Sequence, residues 1–597
     1  MGSRKSAQQI PSSLEGEAGE AEILEKFRTL YEQLYNSCST TEELEGLLEE
    51  LKGKINCRDE GEVAKITALV VKKACQRMNP GKMDVSSSYT SDVFKHGPNL
   101  LHEYLASIFR SFLVHGIVPL PILVCSFMPL LKPRKNPVKF DSYRAVAGAS
   151  QLLKLFEYTI LEVWGGCLIS DSMQFGFKSG TGADQCSWLL MTTVEYFKQR
   201  GSNTLCCLLD VSKGFDRVKF STLFSTLSTK LPAIVVRVLI FTYVQQAGFV
   251  RLGGRRSSSF SLTNGTRQGA VASPALWAVY VDGLLLKLRG MGLGSFVAGV
   301  WMGALLYVDD LALLAPTRSM LDRMLTVVEE YGKAHNLKFS TDENPNLSKT
   351  KCMFFSAHPG SRQTLPPPLK LYGRCLPWVD TALHLGHTLH KSLSMDQDIK
   401  VRRACFISKS VEVREQFAFA HPQQVLRAVQ IYCCDAYGSS LWRLDSPAAT
   451  SFFKAWSSCV RRVYYLPMNT FTFLVEGHLA KTSVPLRNMV LGRYPAFARR
   501  LLDSSSTEVK MMAELAMENA QTVTASNLLH LQKLTQLDPV LDSVRAFKVA
   551  LPVKLVPEVE EWRLGLLDKL LDVRVERRTA GKDVKAVTAM ISSLCST

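Results

Sequence analysis

The period of the hydrophobic positions changes along the chain, and the changes divide it. From Ala21 to Ala74 apolar residues recur at helical spacing, first Ile23, Phe27, Leu30 and Leu34, then Leu44, Leu47, Leu48 and Leu51, then Ile66, Leu69 and Val70. This predicts helices laid against whatever follows. Their outer faces are acidic, unlike a nucleic-acid surface. Between Asn79 and Leu155 an amphipathic helix over about 97–114 is mixed with Pro-broken extended pieces such as Val124–Leu131. From Leu205 to about Leu389 apolar strand-like runs alternate with helices, the pattern of an α/β or α+β layered structure. After Asp396 the pattern is almost wholly helical, with Val425, Val429, Tyr432 and Ala436 on one stripe. Residues 1–20 carry few apolar side chains, cannot repay their ordering entropy, and are expected to be disordered.

Composition and charge narrow this picture. A chain of 597 residues is too long for a single core, because cores stop growing near roughly 250–300 residues. With 46% apolar and 21% charged residues, a disordered, collagen-like or disulfide-scaffold chain is excluded. The 71 Lys and Arg against 54 Asp and Glu leave a net +17, whose natural counterions are phosphates or anionic lipid heads. The most hydrophobic window, 296–316, is split by Asp309 and Asp310, so no membrane span is expected there. The start lacks the apolar core of a signal peptide, and although Met1 to Ser6 match a permissive acylation pattern, a plain disordered start is the expectation. None of the 15 cysteines forms a Cys-x-x-Cys pair, and Cys206-Cys207 and Cys433-Cys434 lie inside apolar runs. Reduced core thiols, a reducing intracellular compartment and no zinc knuckle follow.

Two acidic features carry chemistry. Thr204–Asp210 reads as a strand buried on both faces that ends in a carboxylate, and such a carboxylate wants a helix to cap, water or a cation. Ala304 to Ala315 reads as two short apolar strands separated only by Asp309-Asp310, a tight hairpin with both acids at its tip. Adjacent carboxylates repel and raise each other's pKa unless a multivalent cation neutralises them. Asp-Asp also lacks the Gly that a simple two-residue turn prefers. Asp210, Asp309 and Asp310 could together form an all-oxygen site of the kind that suits Mg²⁺, as two-metal phosphoryl transfer requires.

These residues also carry a resemblance. Tyr307-Val308-Asp309-Asp310 resembles the Tyr-x-Asp-Asp box of reverse transcriptases. Asp210 to Asp216 resembles the Asp-x-x-Lys-Ala-Phe-Asp box of the non-LTR (LINE-type) retrotransposon branch, and Thr266 to Pro274 its Arg-Gln-Gly-x-x-x-Ser-Pro box. Leu347 to Lys351, followed by Met353, resembles its Lys-Thr-Lys box, and Leu383-His-Leu-Gly386 its primer-grip turn. Pro129 to Pro133 and Ser142-Tyr143-Arg144 match the fingers boxes, and Tyr437 to Trp442 the helix after the thumb. The boxes follow one another in the family's order over roughly residues 78–445, which makes the signal specific.

The resemblance implies an α+β right-hand polymerase: a helical extension over 21–75, fingers over 76–200, a palm over 201–390, a thumb over 391–480 and a helical region over 481–597. It implies an RNA-directed DNA polymerase that extends a DNA primer with dNTPs on an RNA template, with Asp210, Asp309 and Asp310 holding two Mg²⁺, or Mn²⁺ in their place. Lys349 takes the place of the lysine that protonates departing pyrophosphate. Lys132 and Arg144 match the residues that clamp the triphosphate, and Phe215 the ring that rejects a 2′-OH. Gln268 and Gly269 are expected to start a helix beside the base pair, with Arg267 as a neighbouring cation.

Departures temper the match. The upstream Ala-Pro-Gly-Pro-Asp-Gly box is reduced to Pro80-Gly-Lys-Met-Asp84, and Tyr-Arg-Pro-Ile becomes Tyr143-Arg144-Ala145-Val146. No endonuclease segment is recognised, so no nicking activity is assigned to this chain, and a separate endonuclease stands as an open partner beside the RNA template, DNA primer and dNTPs. A retroelement remnant or host-adopted protein that binds RNA or duplex without polymerising is the alternative reading.

On the helix expected over 399–414, Lys400, Arg402, Arg403, Lys409 and Arg414 face one acid, Glu412. On a thumb such a helix would follow duplex phosphates, with Arg402, Arg403 and Lys409 as contacts. Arg461, Arg462, Arg499 and Arg500 would extend the track. His384, His387 and His390 recur every third residue, which on a strand would point His387 away from the other two. No metal site is expected there. The expected location is nucleus and cytoplasm.

Overall fold

Every residue of the strand Thr204–Asp210 is buried except the last, because a run of Leu and Cys can be covered on both faces while its terminal carboxylate cannot. In the computed structural model, which describes residues 13–38, 41–55, 59–132, 135–358, 365–470 and 484–551, this strand lies inside a four-stranded sheet. The order is Ala304–Tyr307, Asp310–Ala315, Thr204–Asp210, Lys351–Phe355, all antiparallel. The register sets Asp310 opposite Asp210 and Ala315 opposite Leu205. Helices Ala183–Gln199 and Arg318–Ala334 pack on this sheet, and Ser273–Gly290 packs on the latter. The structure is thus mixed helix and sheet, as the alternation of periods predicts.

A second sheet sets Val124–Leu131 antiparallel to Tyr143–Ala149 and parallel to Ala247–Leu252. It has its own core, in which Phe27, Tyr31 and Tyr35 of the helix Glu20–Tyr35 meet Phe127, Phe140, Tyr143 and Phe260. Phe27 is edge-on to Phe140 and Tyr143 at centroid distances of 4.8 and 5.3 Å. The helical spacing located this helix, but its buried stripe runs through Tyr31 and Tyr35, with Leu30 and Leu34 only partly buried. Residues 13–19 depart from the disordered start expected for them. Ser13–Leu14 pairs with Glu17–Ala18 in a short hairpin, and Leu14 is fully buried in this same core. One apolar anchor with a preformed core to enter outweighs a polar average. The acylation pattern at residues 1–6 lies outside the described residues.

The amphipathic helix expected over about 97–114 is Asn99–His115, stopped by Gly116 at φ 68°. After Asp396 the described chain is helical, through Asp396–Gln416, Pro422–Cys433, Pro447–Val463 and further helices from Leu486 to Ala550. The last of these do not stand apart. Thr507–Glu518 packs on Ala183–Gln199, Glu508 accepts from Ser172 Oγ at 2.7 Å and Arg289 Nη2 at 3.2 Å, and Trp188 Nε1 donates to Thr524 Oγ1 at 3.0 Å. Among the described residues no helix is long and apolar enough to cross a membrane.

Candidate active site

The hairpin between Ala304–Tyr307 and Asp310–Ala315 turns on Val308 and Asp309, with Val308 at φ 61°. A β-branched residue pays of order 1–3 kcal/mol to sit there, so its surroundings must hold it. Trp277 Nε1 donates to Val308 O at 2.8 Å, Val308 N donates to Gln174 Oε1 at 3.2 Å, and Val211 N donates to Asp309 O at 3.2 Å. Gly176 lies against the turn so closely that an added Cβ would stand 2.7 Å from Val308 N. The clamp turns the two acids toward the end of the central strand.

Among the described residues Asp210 caps no helix. Its Oδ2 accepts from Lys349 Nζ at 3.0 Å, while its backbone oxygen receives Ser340 N at 2.8 Å. Burial, then Asp309 and Asp210, push the Asp310 carboxyl up to about 7. Burial and then Asp210 raise Asp309, against the pull of Arg144 and Lys349. Among the described residues no three carboxylate, thiol or imidazole side chains close on one point as a finished metal cage, and Asp210 is turned to Lys349 instead. The donor chemistry still fits a hard divalent cation. These are oxygen ligands on adjacent strand ends, whose mutual repulsion and burial cost a cation would relieve.

Cations face these acids. Lys132 is held below the usual lysine range by burial and then by Lys213, Lys349 and Arg144, so these four positive groups share one field. Lys132 Nζ donates to Asp141 O at 3.0 Å, and Lys213 Nζ lies 3.2 Å from Asp141 Oδ1. Arg144 stands exposed on the strand Tyr143–Ala149. Phe215 is half-buried and stacked on Trp277, at 4.9 Å and 20° between planes, with Phe177 edge-on at 6.2 Å. The adjacent Gly214 has no room for a side chain beside Trp277.

Several expected placements are corrected. Gln268 and Gly269 do not start a helix; they lie in a turn, and the helix begins at Ser273. Gly269 has φ 112°, and an added Cβ would stand 2.9 Å from Ala147 O, so the close approach it permits is to the strand Tyr143–Ala149. Arg267 is no surface cation. It is fully buried, with Nη2 2.7 Å from Glu157 Oε1. Glu157 Oε2 also accepts from Val271 N at 2.7 Å and Ala272 N at 3.2 Å, and a buried pair is tolerable when hydrogen bonds complete it in this way.

The basic track is thinner than its sequence. Arg402 donates to Gly386 O, lies 3.7 Å from Asp398 Oδ1 and covers the Tyr437 ring at 5.1 Å, so it braces the turn at Leu385-Gly386. Arg403 Nε donates to Ser451 O at 3.2 Å, and Lys409 is exposed. Arg461 is buried and donates to Thr470 O, while Arg500 pairs with Asp184 at 2.7 Å. His384 and His387 are paired across a hairpin and share one buried face. The expectation that His387 points away treated one strand where there are two. His384 Nδ1 is 3.0 Å from Ser187 Oγ, His387 stacks on Tyr437 at 4.7 Å, and burial pushes the two imidazoles down to about 3 and about 4.

Residues 132–389 match the family model described as reverse transcriptase (RNA-dependent DNA polymerase). Curated relatives include the RNA-directed DNA polymerase from mobile element jockey of Drosophila funebris, 23% identical over 379 residues, 62% of this chain and 40% of that protein. The same element's polymerase in Drosophila melanogaster is 25% identical over 318 residues, 52% of this chain and 34% of that protein. The Pol polyprotein from the type-1 retrotransposable element R2 of Nasonia vitripennis is 26% identical over 234 residues, 39% and 22% of the two chains. Residues 132–389 are a reverse transcriptase domain, similar to those of mobile and retrotransposable elements. The chain spans less than half the length of each of these relatives.

The reverse transcriptase domain includes every acid and cation described around Asp210, and it ends before the helix Asp396–Gln416. Three side chains around the acids are not distinguished by the sequence reading. Lys213 and Asp216 lie inside the Asp210–Asp216 box, and that membership was their signal. Tyr35 lies outside the domain altogether, and its hydroxyl donates to Asp216 Oδ1 at 2.6 Å. Its only trace in the sequence is the spacing Phe27, Tyr31, Tyr35.

Proposed function

We propose that this chain is an RNA-directed DNA polymerase of a retrotransposon, extending a DNA primer 3′-OH with dNTPs on an RNA template. The observation that carries the reading is the register of Asp310 against Asp210 inside the reverse transcriptase domain, with Lys132, Arg144, Lys213 and Lys349 gathered around the acids. The finer architecture is a right hand with fingers over 76–200, a palm over 201–390 and a thumb over 391–480, flanked by helical additions over 21–75 and 481–597.

Asp210, Asp309 and Asp310 would hold two Mg²⁺, or Mn²⁺, which supply charge neutralisation for the attacking and leaving oxygens. The chain's own residues do the rest. Lys132, Arg144 and Lys213 bring positive charge to the triphosphate. Lys349 sits where it can give a proton to pyrophosphate as Asp210 is drawn elsewhere. Phe215, fixed by its stack on Trp277, leaves no room for a 2′-OH. Gln268 and Gly269 border the nascent pair from their turn. Arg403 and Lys409 meet duplex phosphates, and Arg402 acts through the Gly386 turn that it braces. An endonuclease would supply the primer end, and nucleus and cytoplasm are the proposed location.

The test is extension of a DNA primer on an RNA template by the full chain, with Mg²⁺ and with the ion chelated. Metal-dependent extension supports the reading. Template-primer binding without extension would favour the alternative, a retroelement remnant adopted as an RNA- or duplex-binding protein.

A further inference from the structure

Asp216 is buried, yet its contacts are divided between two segments far apart in sequence. Tyr35 Oη donates to its Oδ1 at 2.6 Å, and Gln268 Nε2 lies 2.9 Å from both Oδ1 and Oδ2. Asp216 O also accepts from Asn264 Nδ2 at 2.8 Å. Burial pushes the carboxyl up to about 6, so at neutral pH it is ionised and can only accept. Tyr35 can only donate here, since burial and Asp216 raise its phenol well above the usual range.

An acceptor-only partner decides how the Gln268 amide sits. The NH₂ end must face Asp216, which leaves Oε1 with no hydrogen bond among the described residues. The backbone of the same residue is fixed by Ala147 N, which donates to Gln268 O at 2.8 Å. Gln268 is therefore presented as an acceptor, for an N–H or O–H of the nucleotide or of the pair it joins.

Tyr35 is held in place for this. Thr263 N and Asn264 N donate to its backbone oxygen at 3.0 and 3.1 Å, its ring lies 5.0 Å from that of Phe127, and an added Cβ at Gly265 would stand 2.7 Å from the ring.

We infer that Tyr35, on a helix outside the reverse transcriptase domain, is a positioning residue that holds Asp216 so that Gln268 presents its carbonyl oxygen to the incoming nucleotide. The inference rests on the polymerase reading of Gln268. It makes the helix Glu20–Tyr35 part of the nucleotide site and not only a cover for the second sheet.

The experiment is steady-state single-nucleotide incorporation by the full chain carrying Tyr35→Phe, Asp216→Asn or Gln268→Ala, and Tyr35→Phe combined with Gln268→Ala. Tyr35→Phe keeps the ring and removes one hydrogen bond to a charged group, so KM for dNTP should rise about tenfold while kcat stays within about twofold. Asp216→Asn lets an amide donate to Gln268 and turns it over, so its KM should rise further. In the Gln268→Ala background Tyr35→Phe should add nothing. A role in packing alone would give additive losses, or equal KM values for wild type and Tyr35→Phe, and either result overturns the inference while primer extension by wild type stands. If wild type extends no primer, the polymerase reading falls and the inference falls with it.

Discussion

Lys349 Nζ lies 3.0 Å from Asp210 Oδ2, joining the strand end that carries one acid to the loop that precedes Lys351–Phe355. If Asp210 held a cation, Lys349 would be freed from it to act as the proposed proton donor. Lys349→Ala should therefore slow the chemical step by about 10²–10⁴-fold and leave dNTP binding nearly unchanged. Single-turnover incorporation measures both, and an unaltered rate would make Lys349 a surface lysine.

Phe215→Ala should admit ribonucleotides, because the half-buried ring stacked on Trp277 is the only side chain assigned to exclude a 2′-OH. The rNTP/dNTP ratio of kcat/KM should rise by about tenfold or more. Normal activity with an unchanged ratio would leave Phe215 as packing.

The acids were legible in sequence because each interrupts an apolar strand, a place where an unpaired carboxylate is costly. The hairpin and the central strand followed from the same pattern. What was not legible depends on partners distant in the chain. Arg267 reads as a cation beside a glycine until Glu157 meets it 110 residues away. Gly269 reads as a helix start until Ala147 O closes on it. His387 reads as facing away from His384 until the turn at Gly386 folds their strands together. Leu14 reveals itself only through the second core, and Tyr35, whose spacing marks it as helical, shows its partner only when Asp216 meets it 181 residues away.

Breaking the Arg267–Glu157 pair from one side leaves a buried, uncompensated charge. Arg267→Ala should lower stability by about 3–5 kcal/mol and loosen the turn that carries Gln268. Urea unfolding against wild type checks this, and a change under about 1 kcal/mol would mean that the pair is dispensable.

Glu195, beside Val523 N, is pushed up to about 7 by burial. Its proton is bound more tightly folded than unfolded, so its share of stability is full below about 4.5 and is lost as pH rises toward 7. Glu195→Gln removes that loss. The variant should melt above wild type at pH 8 and converge with it near pH 4, and parallel melting curves across that window would contradict the assignment.

Template-primer affinity should fall steeply with salt. Replacing Arg403 and Lys409 together by Ala should flatten the log–log slope by up to about two units and leave sequence preference unchanged. Arg402→Ala should behave differently, lowering extension more than binding, because Arg402 braces the Gly386 turn. Binding titrations at several salt concentrations separate the two, and a double variant with the wild-type slope would remove the proposed phosphate contacts.

The most direct test of the whole account is extension of a DNA primer on an RNA template by wild type, Asp210→Asn and Asp309→Asn across a Mg²⁺ titration, with template-primer affinity measured in parallel. The expected result is Mg²⁺-dependent extension by wild type, no detectable extension by either variant at any Mg²⁺ concentration, and affinities for template-primer within about twofold of one another. Near wild-type extension by either variant, or a wild type that binds the duplex and never extends it, would contradict it.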